Sequence, residues 1–433
     1  MRYNCYNVFN YGISLQLYRT ESKRLRKLGE KSMKTTAIIC EYNPMTLGHV
    51  RHLELARAET GAEIVLCVMS GSFTQRGEAA VLDKYVRAEA AVRLGADIVV
   101  ELPTVYAISP ADNFAYGAIK TIAAFPDVAY ISFGSECGDI ALLEQAAALL
   151  ADEPEEFRTL LRQNLDNGLS FPKARAAAFD AYADRSPERA ALKGLLDQPN
   201  NVLGIAYMIA AKKAGLSIGF HTVKRIGDFH DQSLDAPYPS ASAVRAALQR
   251  EDFDGIRKSI PAPVYESLKA IRPADSFGDM VLFKLKSMSG YDLEHYYDVS
   301  GGIHNRIKIA ADRSHTYEQM LEAAKTKAYT MARLKRICLY ALFDITAEFY
   351  REAAACPAYL TVLAMRADRK QLLSDLHASC KNVVTRYSDV GKVDKSLRPL
   401  IKLDFTAQGT LNIINKTNCY NKKMLFVDAS SEN

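Results

Sequence analysis

No apolar run in this chain approaches the ~20 consecutive residues needed to cross a bilayer. The longest, such as Ile64-Val65-Leu66-Cys67-Val68-Met69, are strand-sized, so no membrane partner is expected and the chain is read as cytoplasmic. Its eight cysteines form no C-x-x-C pair and no close cluster with histidine. That argues against a structural zinc site, and no metal ligand is assigned. Several of them sit inside apolar runs, where a free thiol behaves as a small buried hydrophobe in a reducing compartment. Neither a Walker A sequence nor a G-x-G-x-x-G occurs, which argues against P-loop and dinucleotide-binding chemistry. Charge is not one-sided: a net +5 over 433 residues permits a polyanionic partner without requiring one. Hydrophobic residues at 48% and charged residues at 24% match the globular average, in a chain long enough for two or three domains.

Residues 1–32 stand apart. Arg2, Arg19, Lys23, Arg24, Arg26, Lys27 and Lys31 face only Glu21 and Glu30, without a clean period and without the apolar core of a secretory signal. They are read as a disordered basic extension or a misread start, with Met33 the natural beginning. From there a regular pattern takes over. Strands are expected at Thr35–Cys40, Glu63–Met69, Asp97–Leu102, Val128–Phe133 and Ser217–Val223. Between them the pattern predicts helices over Gly48–Thr60, Asp83–Leu94, Asp112–Ala124 and Val202–Ala214, with another opening at Ser242. Fully apolar strands alternating with helices of this length predict an α/β fold, a parallel sheet covered on both faces. This Rossmann-like domain is placed at 33–250. A mostly helical region without strands is expected over 251–370, and a poorly defined tail over 371–433 in which only Pro399–Ile414 looks ordered.

The first strand runs into Pro44-Met45-Thr46-Leu47-Gly48-His49 and then a helix. In an open α/β sheet, ligands bind beyond the carboxyl ends of the strands, where this turn lies. Gly48 lets a phosphate approach the backbone, and the helix start offers free N–H groups and a partial positive charge. His49 adds a donor that can follow charge building on an α-phosphoryl group. Thr46, Gly48 and His49 are therefore the candidate catalytic turn of a nucleotidyltransferase. A second loop, Met69 to Glu78, holds Ser70 and Arg76 between glycines at the same sheet edge, and Arg76 suits a phosphate or carboxylate. Lys84 and Arg87 share one face of the helix that follows, where a solvated face is the commoner arrangement. Further strand-end or helix-start motifs are Phe133-Gly134-Ser135-Glu136, Lys224-Arg225-Ile226-Gly227, and Ser240-Ala241-Ser242-Ala243-Val244-Arg245. In the last, hydroxyls, N–H groups and a cation suit a pyrophosphate.

Taken with Glu41-Tyr42-Asn43-Pro44, Glu101-Leu102-Pro103, Pro199-Asn200-Asn201-Val202-Leu203-Gly204 and Asn305-Arg306-Ile307-Lys308, these motifs resemble, in order, the bacterial tRNA(Met) cytidine acetate ligase family, from about Met33 to Tyr340. The resemblance implies that ATP, with Mg2+ and without coenzyme A, activates acetate as acetyl-adenylate. The acetyl group would then pass to N4 of the wobble cytidine of elongator tRNA(Met), and no protein partner is implied. The family's nucleotide-binding positions carry over onto Ile39, Cys40, Glu41, Tyr42, Asn43, Pro44, Gly48, His49, His52, Gly134, Asn200 or its neighbour Asn201, Arg225 and Ile226. Ser242 and Arg245 join them from the helix-start motif, and Ser70 and Arg76 are assigned to substrate. The family has His-Asn-Gly-His where this chain has Thr46-Leu47-Gly48-His49. For RNA, Arg306, Lys308, Lys335 and Arg336 are the expected phosphate contacts, with Lys325, Lys327 and Arg333 nearby and Tyr317 and Tyr329 as stacking rings. On the α/β domain alone, a small-molecule adenylyl- or cytidylyltransferase is an equal reading, and an RNA-binding relative without activity is a third.

Overall fold

The computed structural model of the chain describes residues 33–227, 233–270, 276–417 and 423–428. The expectation for the basic extension at 1–32 lies outside the described residues. The chain opens with β1 (Thr35–Cys40), α1 (Leu47–Thr60), β2 (Ile64–Ser70), α2 (Lys84–Arg93), β3 (Ile98–Leu102) and α3 (Ala111–Ala123). After β4 (Val128–Ser135) come three helices between residues 140 and 183, then α4 (Pro199–Lys213), β5 (Gly219–Lys224) and α5 (Ala241–Gln249). These five strands are all parallel, in the order β5-β4-β1-β2-β3. The chain steps from β1 through β2 to β3 on one side and then crosses to β4 on the other, so the carboxyl ends of β1 and β4 open a crevice at the point where strand order reverses.

Both sheet faces are buried, which is why the strands read as unbroken apolar runs. Ala37, Ile39, Leu66, Val68, Ile98 and Val100 join the core on one face. Their alternates Ile38, Val65, Cys67, Met69 and Val99 join the core on the other, as a two-residue side-chain period requires. Helix packing is close enough to select glycine: a Cβ at Gly204 in α4 would run into the ring of Phe133 on β4.

The helical region follows as expected and includes α6 (Ile303–Arg313), α7 (Tyr317–Ala324) and α8 (Met331–Leu342). Strands do not stop at residue 250, however. Leu360–Arg366 forms β6, fully buried except at its end and antiparallel to β3, with Ile98 opposite Met365. A short apolar run flanked by helices has no periodicity that marks it as a strand; its pairing with β3 decides the matter. Residues 371–433 likewise hold more than one ordered stretch: β7 (Val383–Val384), α9 (Arg398–Asn415) and β8 (Leu425–Val427), both strands pairing with β6. Helix α9 covers the stretch expected to be ordered, and some of its buried residues are polar. Asp404 is 1% exposed, accepting from the Thr104 N–H at 2.7 Å and the Tyr359 hydroxyl at 2.6 Å. Gln408 bonds Ser72 and Asp83 across the fold.

Candidate active site

The turn after β1 places Thr46 as the N-cap of α1 and His49 in its first turn. The Thr46 backbone N–H donates to His49 Nδ1 at 3.0 Å. A nitrogen that accepts from an amide cannot carry a proton, so the ring proton sits on Nε2. Burial, and then the Arg225 charge, lower the His49 pKa to about 3, so the ring is a neutral Nε2–H donor at physiological pH. The Tyr42 ring packs edge-on against it at 5.2 Å and fixes its plane.

His49 lines a cavity of about 580 Å³. Around it the structure gathers Ile39, Cys40, Glu41, Tyr42, Asn43, Thr46, Gly48, His52, Arg76, Gly134, Asn200, Arg225, Ile226, Ser242 and Arg245. The starts of α1 and α5 both open onto it, and neither has an acidic residue in its first turn. Two helix N-termini and the cations Arg225 and Arg245 thus face one space, a setting for a multiply charged anion. Arg245 is itself held by the Asn43 carbonyl at 2.8 Å.

Other expected site residues stand behind the cavity wall. Asn201 is 1% exposed, and its Oδ1 accepts from the Glu136 and Cys137 N–H groups. In return the Glu136 carboxylate accepts from the Asn200 and Asn201 N–H groups at the start of α4. Of the two neighbours it is therefore Asn200 that lines the cavity, while Asn201 clamps β4 to α4. Ser70 is fully buried, its hydroxyl 3.4 Å from Glu41 Oε1. Pro44 is buried, after a cis bond from Asn43, and does not line the cavity.

Lys84 and Arg87 are not on a solvated face; each is 1% exposed. Arg87 donates to the carbonyls of Glu41, Ser70, Gly71 and Leu82, tying together the loops that leave β1 and β2. Lys84 Nζ lies 2.7 Å from both carboxylate oxygens of Glu101. A Cβ at Gly71 would run into that same carboxylate, which explains the glycine. The arginine and lysine are thus the internal frame of the site, a role that a sequence pattern on one helix face does not reveal.

His221 and Ser132 escaped sequence reasoning. His52 Nε2, Ser132 Oγ, His221 Nδ1 and Glu59 Oε2 form a continuous chain, with links of 2.9 Å, 2.9 Å and 2.7 Å from the cavity outward. Ser132 has a single hydrogen to give. Ser132 therefore donates to one of the two rings and accepts from the other. Burial, followed by the nearby guanidinium charges of Arg225 and Arg51, lowers His52 to about 3 as well.

Two half-buried neutral histidines set a pH response. In the unfolded chain both titrate near ~6.5, so between that pH and about 3 the unfolded state binds more protons and stability falls as pH falls. Above the unfolded value the contribution is complete. Urea unfolding of the ligand-free protein should show an added loss on the order of 1 kcal/mol per pH unit for each ring, reduced in a His49→Gln/His52→Gln variant. A variant with the parent's slope would show that these rings are not held neutral.

The residues expected to meet RNA are engaged within the chain. Arg306 donates to the carbonyls of Ala323, Ala324 and Lys325 at the end of α7. Lys308 reaches the Leu285 and Lys286 carbonyls and Asp312. Lys335 pairs with Glu78 at 2.6 Å, and Arg336, 7% exposed, bonds the Gln75 carbonyl. Tyr317, read as a stacking ring, is instead buried against Phe277, and the Tyr329 hydroxyl donates to the Gly301 carbonyl at 2.5 Å. Among the described residues no helix is long and apolar enough to cross a membrane.

Residues 33–425 match the family model described as HIGH Nucleotidyl Transferase. The chain is 35% identical over 395 residues to the tRNA(Met) cytidine acetate ligase of Thermotoga petrophila, covering 88% of this chain and 93% of that protein. It is 34% identical over 406 residues to that of Acetivibrio thermocellus, covering 90% and 97%. Among solved structures, apo Thermotoga maritima TmcAL superposes with a TM-score of 0.85 at 32% identity, over 92% of this chain and all (100%) of that one. The same protein bound with alpha-thio ATP gives 0.82 at 31% identity, over 91% and 100%. By sequence along nearly its whole length, and by fold, the chain belongs to the tRNA(Met) cytidine acetate ligase family of HIGH nucleotidyltransferases.

Proposed function

We propose that this chain activates acetate with ATP as acetyl-adenylate in the cavity at His49, then passes the acetyl group to N4 of the wobble cytidine of elongator tRNA(Met). The observation that carries the reading is the neutral Nε2–H of the half-buried His49, its ring held by a backbone donor in a cavity where two helix starts and Arg225 converge. Acetate is already an anion, so no general base is needed. A carboxylate oxygen bonds to the α-phosphorus, the bond from that phosphorus to the bridging oxygen breaks, and pyrophosphate leaves with its charge. His49 and the N–H groups of α1 stabilise charge on the α-phosphoryl oxygens, while α5, Ser242 and Arg245 hold the departing end. In the second step the cytidine amine bonds to the acetyl carbon, the carbon–oxygen bond to AMP breaks, and the amine proton passes to solvent. Acetate itself is the acyl donor, so coenzyme A has no place in this sequence.

Among the described residues no group of three or more His, Cys, Asp or Glu is arranged to hold a metal. A Mg2+ ion would therefore fit this site on the triphosphate oxygens and water rather than in a protein cage, the usual arrangement for that ion. It would supply charge neutralisation there. Work in the cytoplasm, where tRNA and ATP meet, accords with this reading.

Acetate-dependent exchange of labelled pyrophosphate into ATP, without coenzyme A and without tRNA, is the expected result. Exchange driven by a phosphorylated coenzyme precursor, with none from acetate, would overturn the reading in favour of a small-molecule nucleotidyltransferase.

A further inference from the structure

A second cavity of about 830 Å³ lies beside the first. Gln75, Arg76 and Glu78 line both, so the two spaces share a wall. The rest of the second cavity includes Asp298 and the start of α8, and its exposed lining residues include Glu294, Ala328 and Arg351. Its size falls within the ~300–1,000 Å³ usual for small-molecule sites, ample for a nucleoside.

Its chemistry is polar and partly unspent. Nε of Arg175 and Nε of Arg336 are buried without a hydrogen-bond partner among the described residues, a state that carries a desolvation cost unless a ligand brings an acceptor. In the shared wall, Glu78 is gripped by Lys335 at 2.6 Å from the second cavity and by Arg245 at 3.8 Å from the first. Burial works to raise its pKa, but the Lys335 hydrogen bond and the charges of Lys335, Arg245 and Arg76 outweigh that and hold it below the usual carboxylate range. Glu78 is thus a fixed acceptor, beside fixed guanidinium donors. Backbone closeness keeps it there: a Cβ at Gly77 would lie 2.7 Å from the Arg336 nitrogen.

The pairing edge of an aminopyrimidine is the complement of that arrangement, an amino donor next to ring-nitrogen and carbonyl acceptors. We propose that the second cavity is the acceptor-base pocket. A cytosine turned out of its RNA strand enters past Arg351 and presents its exocyclic amine at the Gln75–Glu78 wall. Glu78 accepts one amine hydrogen, and the cavity's arginines meet the ring acceptors. This rests on the acetyl-transfer reading, because the acyl carbon and the amine must approach to ~3–3.5 Å and therefore have to meet at the boundary where the two cavities adjoin. A base inside a duplex could not reach it, so the target has to be single-stranded or flipped.

Ala332, half-buried on α8, and Arg351 line the second cavity but not the first. In the full chain, Ala332→Phe should fill the pocket and Arg351→Gln should weaken its mouth. Acetate-dependent exchange is expected within about twofold of the parent in both, while acetyl transfer to tRNA falls by roughly 10-fold or more in Ala332→Phe and the KM for tRNA rises in Arg351→Gln, as loss of a base contact worth ~1–3 kcal/mol implies. A binding measurement needs no catalysis: an anticodon stem-loop with cytidine at the acceptor position should bind the parent more tightly than its uridine counterpart, and Ala332→Phe should bind both alike. Unchanged transfer and unchanged cytidine preference in Ala332→Phe would overturn the pocket. If Ala332→Phe lost exchange as well, an unchanged KM in Arg351→Gln would overturn it. A parent without acetate-dependent exchange, but with a cytidine preference that Ala332→Phe abolishes, would retire the acetate reading and leave the pocket standing.

Discussion

His49→Ala is expected to lower the rate of acetyl-adenylate formation by ~10²–10³ while changing the ATP Kd only slightly. The ring is neutral and its Nδ1 is committed to the Thr46 N–H, so under the proposed function its remaining donor acts when charge develops on the phosphoryl oxygens. Ground-state affinity would then come from the other groups around the cavity: the helix starts, Arg225 and Arg245. Thr46→Ala should cost much less in rate, because the donor that holds His49 is the backbone N–H, which alanine keeps. Its main effect should be on stability, on the order of 1 kcal/mol for a lost helix cap. Single-turnover rates and equilibrium ATP binding on both variants check this. Parallel losses of rate and affinity in His49→Ala would make the ring a binding group, not a transition-state donor.

The largest expected effect on folding is at Lys84. Its ammonium and the Glu101 carboxylate are each 1% exposed, and the ion pair sits where the loop after β2 crosses β3. Lys84→Met leaves Glu101 buried and unpaired, for which about 3–5 kcal/mol is the usual loss. Burial already pushes Glu101 up to about 7 despite Lys84, and removing the ammonium pushes it further up. The variant's Glu101 therefore stays protonated to higher pH than the parent's, so its deficit relative to the parent should grow as pH rises above about 7 and level off below it. Lys84→Met/Glu101→Gln should recover part of the loss by removing the charge. Urea unfolding at two pH values measures both effects. A deficit below about 1 kcal/mol, the scale of an exposed pair, would show that water reaches the site.

The contrast between His49 and Lys84 shows what kind of information each required. His49 was legible because everything that positions it is local: a strand ending at Cys40, an N-cap at Thr46 and a ring one turn in. Such features depend on residues within a few positions of one another. Lys84 and Arg87 have the spacing of an ordinary solvated helix face, and nothing nearby in sequence announces that α2 turns that face inward. What turns it is the pairing of β3 with β2 and of β6 with β3, which closes the sheet edge over both side chains. Likewise nothing near Arg306 and Lys308 in sequence announces that α7 and residues 285–286 bring carbonyls to them.

The sequence by itself determined the βαβ alternation, the order of the first five strands along the chain, the helix starts near Gly48 and Ser242, and the family resemblance that those motifs carry. Each follows from short-range patterning, because apolar period and capping chemistry act over one or two turns. Only the tertiary structure decided that Leu360–Arg366 is a strand, that Asn200 and not Asn201 lines the cavity, that Ser132 and His221 extend His52 toward the surface, and that two cavities adjoin at Gln75, Arg76 and Glu78. Those outcomes depend on groups far apart in the chain, such as Glu78 and Lys335, whose meeting is set by sheet order and helix packing. A buried charge or polar group is stable only where such a distant partner arrives, and no local pattern records that arrival.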